Sequence, residues 1–212
     1  MSLAYLENTI DLFEKKSTYL LQTFGNLLFQ LGVTYYAAFK VKAVDYSFFT
    51  VLAIFILHIG IIYALHKTDN MLIQFAMFLV FSYTGGRILH TVRDYIPLKT
   101  VHKIIQLMAA IFLAMFLLGG FLLAGGIAFG KFTVLIMIAI LIMYIVARLL
   151  VSTGKMEKWL YGIGIAIFTA FIAIDTNIIL QETDKKTPIN ASMRYYLDLL
   201  NLFQIFRRGI RR

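Results

Sequence analysis

Apolar residues fall into windows of about 20 along the chain, the length a helix rising ~1.5 Å per residue needs to cross a hydrocarbon core ~30 Å thick. Between charged or glycine-rich breaks these windows give approximate spans at 19–39, 46–65, 71–90, 104–124, 132–151 and 159–180, then a shorter segment at 192–206. Within a bilayer every backbone N–H and C=O must be satisfied internally, and a 20-residue apolar segment achieves that only as a helix. The pattern predicts an all-α polytopic membrane protein with six full spans and a seventh segment that either crosses or re-enters. Residues 1–18 form a lead-in, 19–206 one helical transmembrane domain, and 207–212, RRGIRR, a basic tail.

Composition agrees. Of 212 residues, 60% are hydrophobic and the mean hydropathy is +0.81, more apolar surface than a soluble domain can cover. The formal net charge of +9 would suggest nucleic acid in a soluble chain. Here the basic residues sit in short loops and in the tail, so the expected partners are anionic lipid headgroups and not nucleic acid. The opening MSLAYLENTIDLFEKKST carries Glu7, Asp11, Glu14, Lys15 and Lys16 without a long apolar run, which reads as an amphipathic lead-in and not a signal peptide. Cysteine is absent, which excludes disulfides, thiolate ligands and cysteine nucleophiles.

Nine of the eleven acidic residues fall at span ends or in loops; Asp175 and Asp198 do not. Asp175 lies about six residues before the end of the sixth span, and Asp198 in the middle of SMRYYLDLLNLFQIF, residues 192–206. The loop ETDKKTPINA between them is centred near 186.5, which is also the midpoint of 175 and 198. A hairpin would bring both carboxylates to one depth, roughly 9 Å inside the membrane boundary. Two carboxylates so placed cannot both ionise cheaply, and such a pair tends to share a proton. An ionisable residue within a membrane is by default a functional-site hypothesis. The plainer readings are an Arg194–Asp198 i,i+4 ion pair on a helix lying at the interface, and for Asp175 a structural hydrogen bond to a neighbouring span. Arg194, Asp198, Asn201 and Gln204 make a narrow polar stripe, where a surface-lying helix shows a wide one, so insertion is expected.

The segment IDTNIILQETDKKTPINASMRYYLDLLNLFQIFRR resembles the C-terminal signature of the transmembrane Bax inhibitor motif (Bax inhibitor-1-like) family. The matching positions are Asp175, Thr176, Asn177, Ile178, Ile179, Leu197, Asp198, Phe203 and Arg207. STYLLQTFGNLLFQLGVTYYA is similar to that family's first span, and FLVFSYTGG to its third, with Thr84-Gly85 as a small-residue pair. The resemblance implies six transmembrane helices around a central seventh. It implies that Asp175 and Asp198 form a proton-sharing gate over a calcium leak, with calcium as transient ligand and cargo, no resident cofactor, and suppression of cell death in eukaryotic relatives. It also implies an endomembrane location in a eukaryotic or viral setting, or the plasma membrane in a bacterium. One aspartate is latched in some relatives by a basic residue at the end of the second span, and here ALHKTDN offers Lys67. Arg194, one turn from Asp198, is the other latch candidate. Basic residues concentrate in the odd-numbered connections and the tail, which puts the N-terminus outside by the positive-inside rule; the resemblance implies a cytosolic N-terminus.

His58, mid-span in FILHIGIIY, is expected either to relay protons or to pack through a hydrogen bond, with Asn177 and Asn201 as further polar support. Arg87 and Arg148 lie near span ends and are expected to snorkel. Glycine pairs at 85–86, 119–120 and 125–126 mark close helix approach or a turn. The chain has no phosphate loop, HExxH or nucleophile elbow, and Asp198 lacks the glycine-rich surroundings of an intramembrane aspartyl protease, so no enzyme is expected. The expected function is a pH-responsive calcium leak. The alternatives are a non-conducting membrane interaction protein acting on cell death or on other channels, and a proton-coupled transporter.

Overall fold

The structure is a computed structural model that describes residues 3–42, 44–89, 97–150, 155–182 and 187–210. All regular structure among them is helical: α1 Leu3–Lys15, α2 Ser17–Phe39, α3 Phe48–Lys67, α4 Met71–Leu89, α5 Leu98–Ala124, α6 Lys131–Leu150, α7 Lys155–Gln181 and α8 Pro188–Ile210. Each expected span corresponds to one of α2 to α7. Among the described residues, Phe48–Lys67, Met71–Leu89, Leu98–Ala124 and Trp159–Gln181 are long and apolar enough to cross a membrane by composition alone, and Phe132–Ala147 is a shorter apolar stretch. Helix α2 is absent from that group although it has 23 residues, because Thr23, Asn26, Gln30 and Thr34 interrupt its apolar run. Arg148 and the tail beyond Arg207 lie outside the described side chains.

The chain divides into two compact units. One comprises residues 1–17, 99–182 and 197–212; the other comprises 18–98 and 183–196.

In the first unit the amphipathic lead-in is a helix whose aromatic side chains dock on α5. Tyr5 donates its hydroxyl to the Phe121 carbonyl, and the Phe13 ring lies 5.2 Å from that of Phe116. Phe13 occupies the space over Gly120, where a Cβ would collide with its ring. The exposed side of α1 carries the Asp11–Lys15 ion pair at 2.7 Å. Helices α5 and α7 touch backbone to backbone, since a Cβ on Gly119 would stand 2.4 Å from the Ala173 carbonyl oxygen. The reversal from α5 to α6 needs Gly126, whose φ of 84° few side chains tolerate.

In the second unit α3 and α4 form a hairpin with defined caps. Ser47 caps α3 by accepting from Thr50 N at 3.2 Å. Asn70 caps α4 by accepting from Leu72 N at 3.0 Å and Ile73 N at 3.2 Å. Gln74 closes the turn by donating to the Leu65 and Thr68 carbonyls at 3.2 and 2.6 Å, which supplies partners to the carbonyls left open at the end of α3.

Exposure is inverted relative to a water-soluble fold. Helix α3 is strongly apolar yet buries only Ile61 and Leu65, and Phe48, Phe55, Ile56 and Ile59 are more than half exposed. Helix α8, rich in polar residues, has no exposed side chain between Pro188 and Arg207. A helix lying at a surface would show a wide polar face to water; α8 instead has its polar stripe enclosed by the protein.

Close packing at Gly119 sets a stability prediction. Gly119→Ala forces α5 away from Ala173 and, at about 1–3 kcal/mol for overpacking, should lower the Tm of the detergent-solubilised protein by about 2–10 °C. Gly162→Ala, on an α7 face where nothing stands within 4 Å of the added Cβ, should leave the Tm unchanged or raise it. Equal effects of the two substitutions would show that α5 and α7 do not touch at Gly119.

Candidate intramembrane carboxylate site

Both aspartates belong to the unit built from residues 1–17, 99–182 and 197–212. Asp175 is half-buried on α7, and Asp198 on α8 is 6% exposed. An ion so enclosed is costly unless it is hydrogen-bonded, paired with a cation or neutralised by a proton.

The register between the two helices follows from one contact. A Cβ on Gly164 of α7 would stand 2.9 Å from Cδ1 of Ile205 of α8, so these positions face each other. Asp175 follows Gly164 by 11 residues and Asp198 precedes Ile205 by 7. At ~3.6 residues per turn these are close to three turns and two, so each aspartate lies on the face of its helix that carries the contact. The antiparallel levels differ by four residues, about 6 Å along the axis.

The expectation that both carboxylates lie at one depth is therefore corrected by about one turn. The physical reason is where α8 begins. Pro188, with φ preset for a helix and no N–H to satisfy, starts it, so residues 188–191 of the supposed loop are helical. With α7 ending at Gln181, the hairpin centre lies at 184.5 and not at 186.5.

Asn177, one of the expected supporting residues, has a defined role. Its Nδ2 donates to Ile127 O at 2.8 Å and Gly119 O at 3.2 Å, and its Oδ1 accepts from Phe129 N at 2.8 Å and Gln181 Nε2 at 2.7 Å. Every position of the amide is occupied. Asn177 thus clamps the α5–α6 connection onto α7 two residues from Asp175, and supports the site through the backbone. Asn201 is half-buried three residues after Asp198.

The latch candidates are placed as follows. Lys67 is exposed in the last turn of α3, its ammonium 5.8 Å from the centre of the Tyr63 ring. Arg194 is half-buried on α8, one turn before Asp198. His58 packs through a hydrogen bond: its Nε2 lies 2.8 Å from Thr84 Oγ1 and its ring stacks at 4.0 Å on Phe81. Because the Thr84 hydroxyl donates to Val80 O at 2.7 Å, Nε2 is the donor in that pair. Arg87 departs from the snorkelling expectation. It is 7% exposed and donates to Lys42 O at 2.8 Å and Tyr46 Oη at 3.2 Å. The connection before α3 folds over the guanidinium, a contact that span-end position alone does not reveal.

Among the described residues no three His, Asp or Glu side chains converge as a metal site.

Residues 16–209 match the family Bax1-I, inhibitor of apoptosis-promoting Bax1. The chain belongs to this family. The match covers nearly all of α2 to α8, well beyond the C-terminal signature, and with the apolar helices it makes the chain an integral membrane protein. No curated protein and no solved structure matches the chain.

The register can be tested in this cysteine-free chain. Counting from Gly164 and Ile205, position 171 stands level with 198. Phe171→Cys with Asp198→Cys should therefore form a disulfide under mild oxidation more readily than Asp175→Cys with Asp198→Cys, whose separation suits a bifunctional thiol linker spanning about one turn. Preferred disulfide formation at 175/198 would restore the equal-depth hairpin.

Proposed function

We propose that the protein is a pH-responsive, calcium-permeable leak channel, with α2 to α7 as its spans and α8 as the buried seventh helix. Asp175 and Asp198 share a proton at its gate and attract the cation. The observation that carries this reading is their placement on the contact-bearing faces of α7 and α8, about one turn apart in level, with Asp198 nearly sealed. Carboxylates this close in level, one of them nearly sealed from water, repel when both are charged, so their protonation is coupled. Loss of a proton adds a negative charge to the path; gain of one removes it. The transition is a local electrostatic change of the kind that biases two-state elements.

The family is described as inhibitors of apoptosis-promoting Bax1, and cell-death regulation follows for this chain as a consequence of controlled calcium release. A non-conducting protein that acts on cell death through membrane partners is the second reading, favoured by that same description.

Reconstitution into liposomes loaded with a calcium dye separates the two. Wild-type protein should leak calcium at a rate that varies between pH 6 and pH 8, and Asp175→Asn and Asp198→Asn should each flatten that dependence, because either removes one titrating site from the coupled pair. Silence of the purified wild-type protein would favour the non-conducting reading. Unchanged pH profiles in both variants, at normal incorporation, would remove the aspartates from the gate.

A further inference from the structure

Turning about the axis of α1 at ~100° per residue sorts its side chains into three sectors. Tyr5, Thr9, Leu12 and Phe13 form the first, and all are buried or half-buried. Leu3, Leu6 and Ile10 form the second, beside it, and are exposed to 80, 41 and 52%. Glu7, Asn8, Asp11, Glu14 and Lys15 form the third, exposed on the remaining side. A helix packed on protein in water needs only two sectors, one apolar and one polar. The exposed apolar sector calls for a third medium.

The position of α1 supplies that medium. Its first sector grips the last turns of α5, where Phe13 fills the space over Gly120 and Tyr5 the space over Gly125, and Lys16 donates to the Glu182 carbonyl just beyond α7. All these residues belong to one compact unit. Helix α5 has 27 residues, about 40 Å at ~1.5 Å per residue, so its ends reach the edges of a hydrocarbon core ~30 Å thick. On the same face of α5, one and two turns deeper than the contacts of α1, Leu117 and Leu113 are 41 and 59% exposed. The face that α1 grips is therefore the lipid-facing perimeter of a membrane-spanning helix.

We propose that α1 is an interfacial strap, its inner sector on α5 and the end of α7 and its outer sector, Leu3, Leu6 and Ile10, among lipid acyl chains just beneath the headgroups. Burial of apolar area holds it there, not attraction to anionic headgroups. Asp11 and Lys15 pair with each other at 2.7 Å, Lys16 is turned to a protein carbonyl, and the charges left in the polar sector are Glu7 and Glu14. From the lipid side the strap braces the turn of α5 in which Gly119 meets Ala173 and Thr176, the residues of α7 that flank Asp175. The strap stands whether or not the protein conducts calcium.

The test uses the absence of cysteine. Ile10→Cys and Asn8→Cys lie at nearly the same point along α1 but on opposite sides, and each full-length variant is labelled with a bimane fluorophore in nanodiscs of dioleoylphosphatidylcholine. Quenching by phosphatidylcholine that carries a nitroxide high on its acyl chain should be severalfold stronger at position 10 than at position 8. Iodide in the water should quench in the reverse order. Leu3→Cys should follow position 10, and replacing part of the lipid by phosphatidylglycerol should leave the ratios unchanged. Equal nitroxide quenching at 8 and 10 would overturn the proposal, as would iodide quenching alone at position 10. Protection of position 10 from both quenchers would show that protein, such as a second copy of the chain, covers the outer sector. Nitroxide quenching that appears only with phosphatidylglycerol would show headgroup binding, and either result overturns the strap.

Discussion

In the hydrocarbon core a polar side chain has no water to turn to, and an apolar side chain gains little by leaving lipid for protein. Helices in such a medium associate through small residues that let backbones approach and through polar groups that find partners. Gly86 against Thr34 and Gly119 against Ala173 are contacts of the first kind. Asn177 on the α5–α6 connection and Gln74 on the end of α3 are of the second. The inverted exposure follows directly: α3 shows Phe48, Phe55, Ile56 and Ile59 outward, while the polar helix α8 has no exposed side chain from Pro188 to Arg207.

That constraint also governs the carboxylates. Asp198 lies on a helix with no exposed face in this stretch, and Asp175 lies on the α7 face that meets α8. Carboxylates are rarely so placed unless the site uses them, since removing an ion from water is costly. A clamp through Asn177 fixes α7 near Asp175, which holds the acid on a defined face without the clamp itself titrating. Family membership covers residues 16–209, so both aspartates lie within the matched segment.

Much of this was legible in the sequence for physical reasons. Span length and apolar windows located α2 to α7 because the bilayer permits only satisfied helices, and Asp175 and Asp198 stood out because acid within such windows is rare. The amphipathic lead-in became α1 through the alternation of apolar and charged positions in residues 3–15. The stripe on α2 was also present, as Thr23, Asn26, Gln30 and Thr34 at helical spacing. Read only as a span, α2 concealed it, because hydropathy averages around the helix and loses the direction in which each residue points.

By itself, then, the sequence determined the helical class, the approximate position of each apolar helix, the membrane as solvent, and the two aspartates within apolar segments, since each depends on local composition. Tertiary structure alone decided the rest. The level of Asp175 relative to Asp198 depended on where α8 starts, and Pro188 moved that start into the supposed loop. The burial of Arg87 depended on a segment some 40 residues away folding back over it through Lys42 and Tyr46. Asn177 read only as polar support, with no partner named, until Ile127, Gly119 and Phe129 took its hydrogen bonds, because a partner distant in sequence leaves no mark on local periodicity.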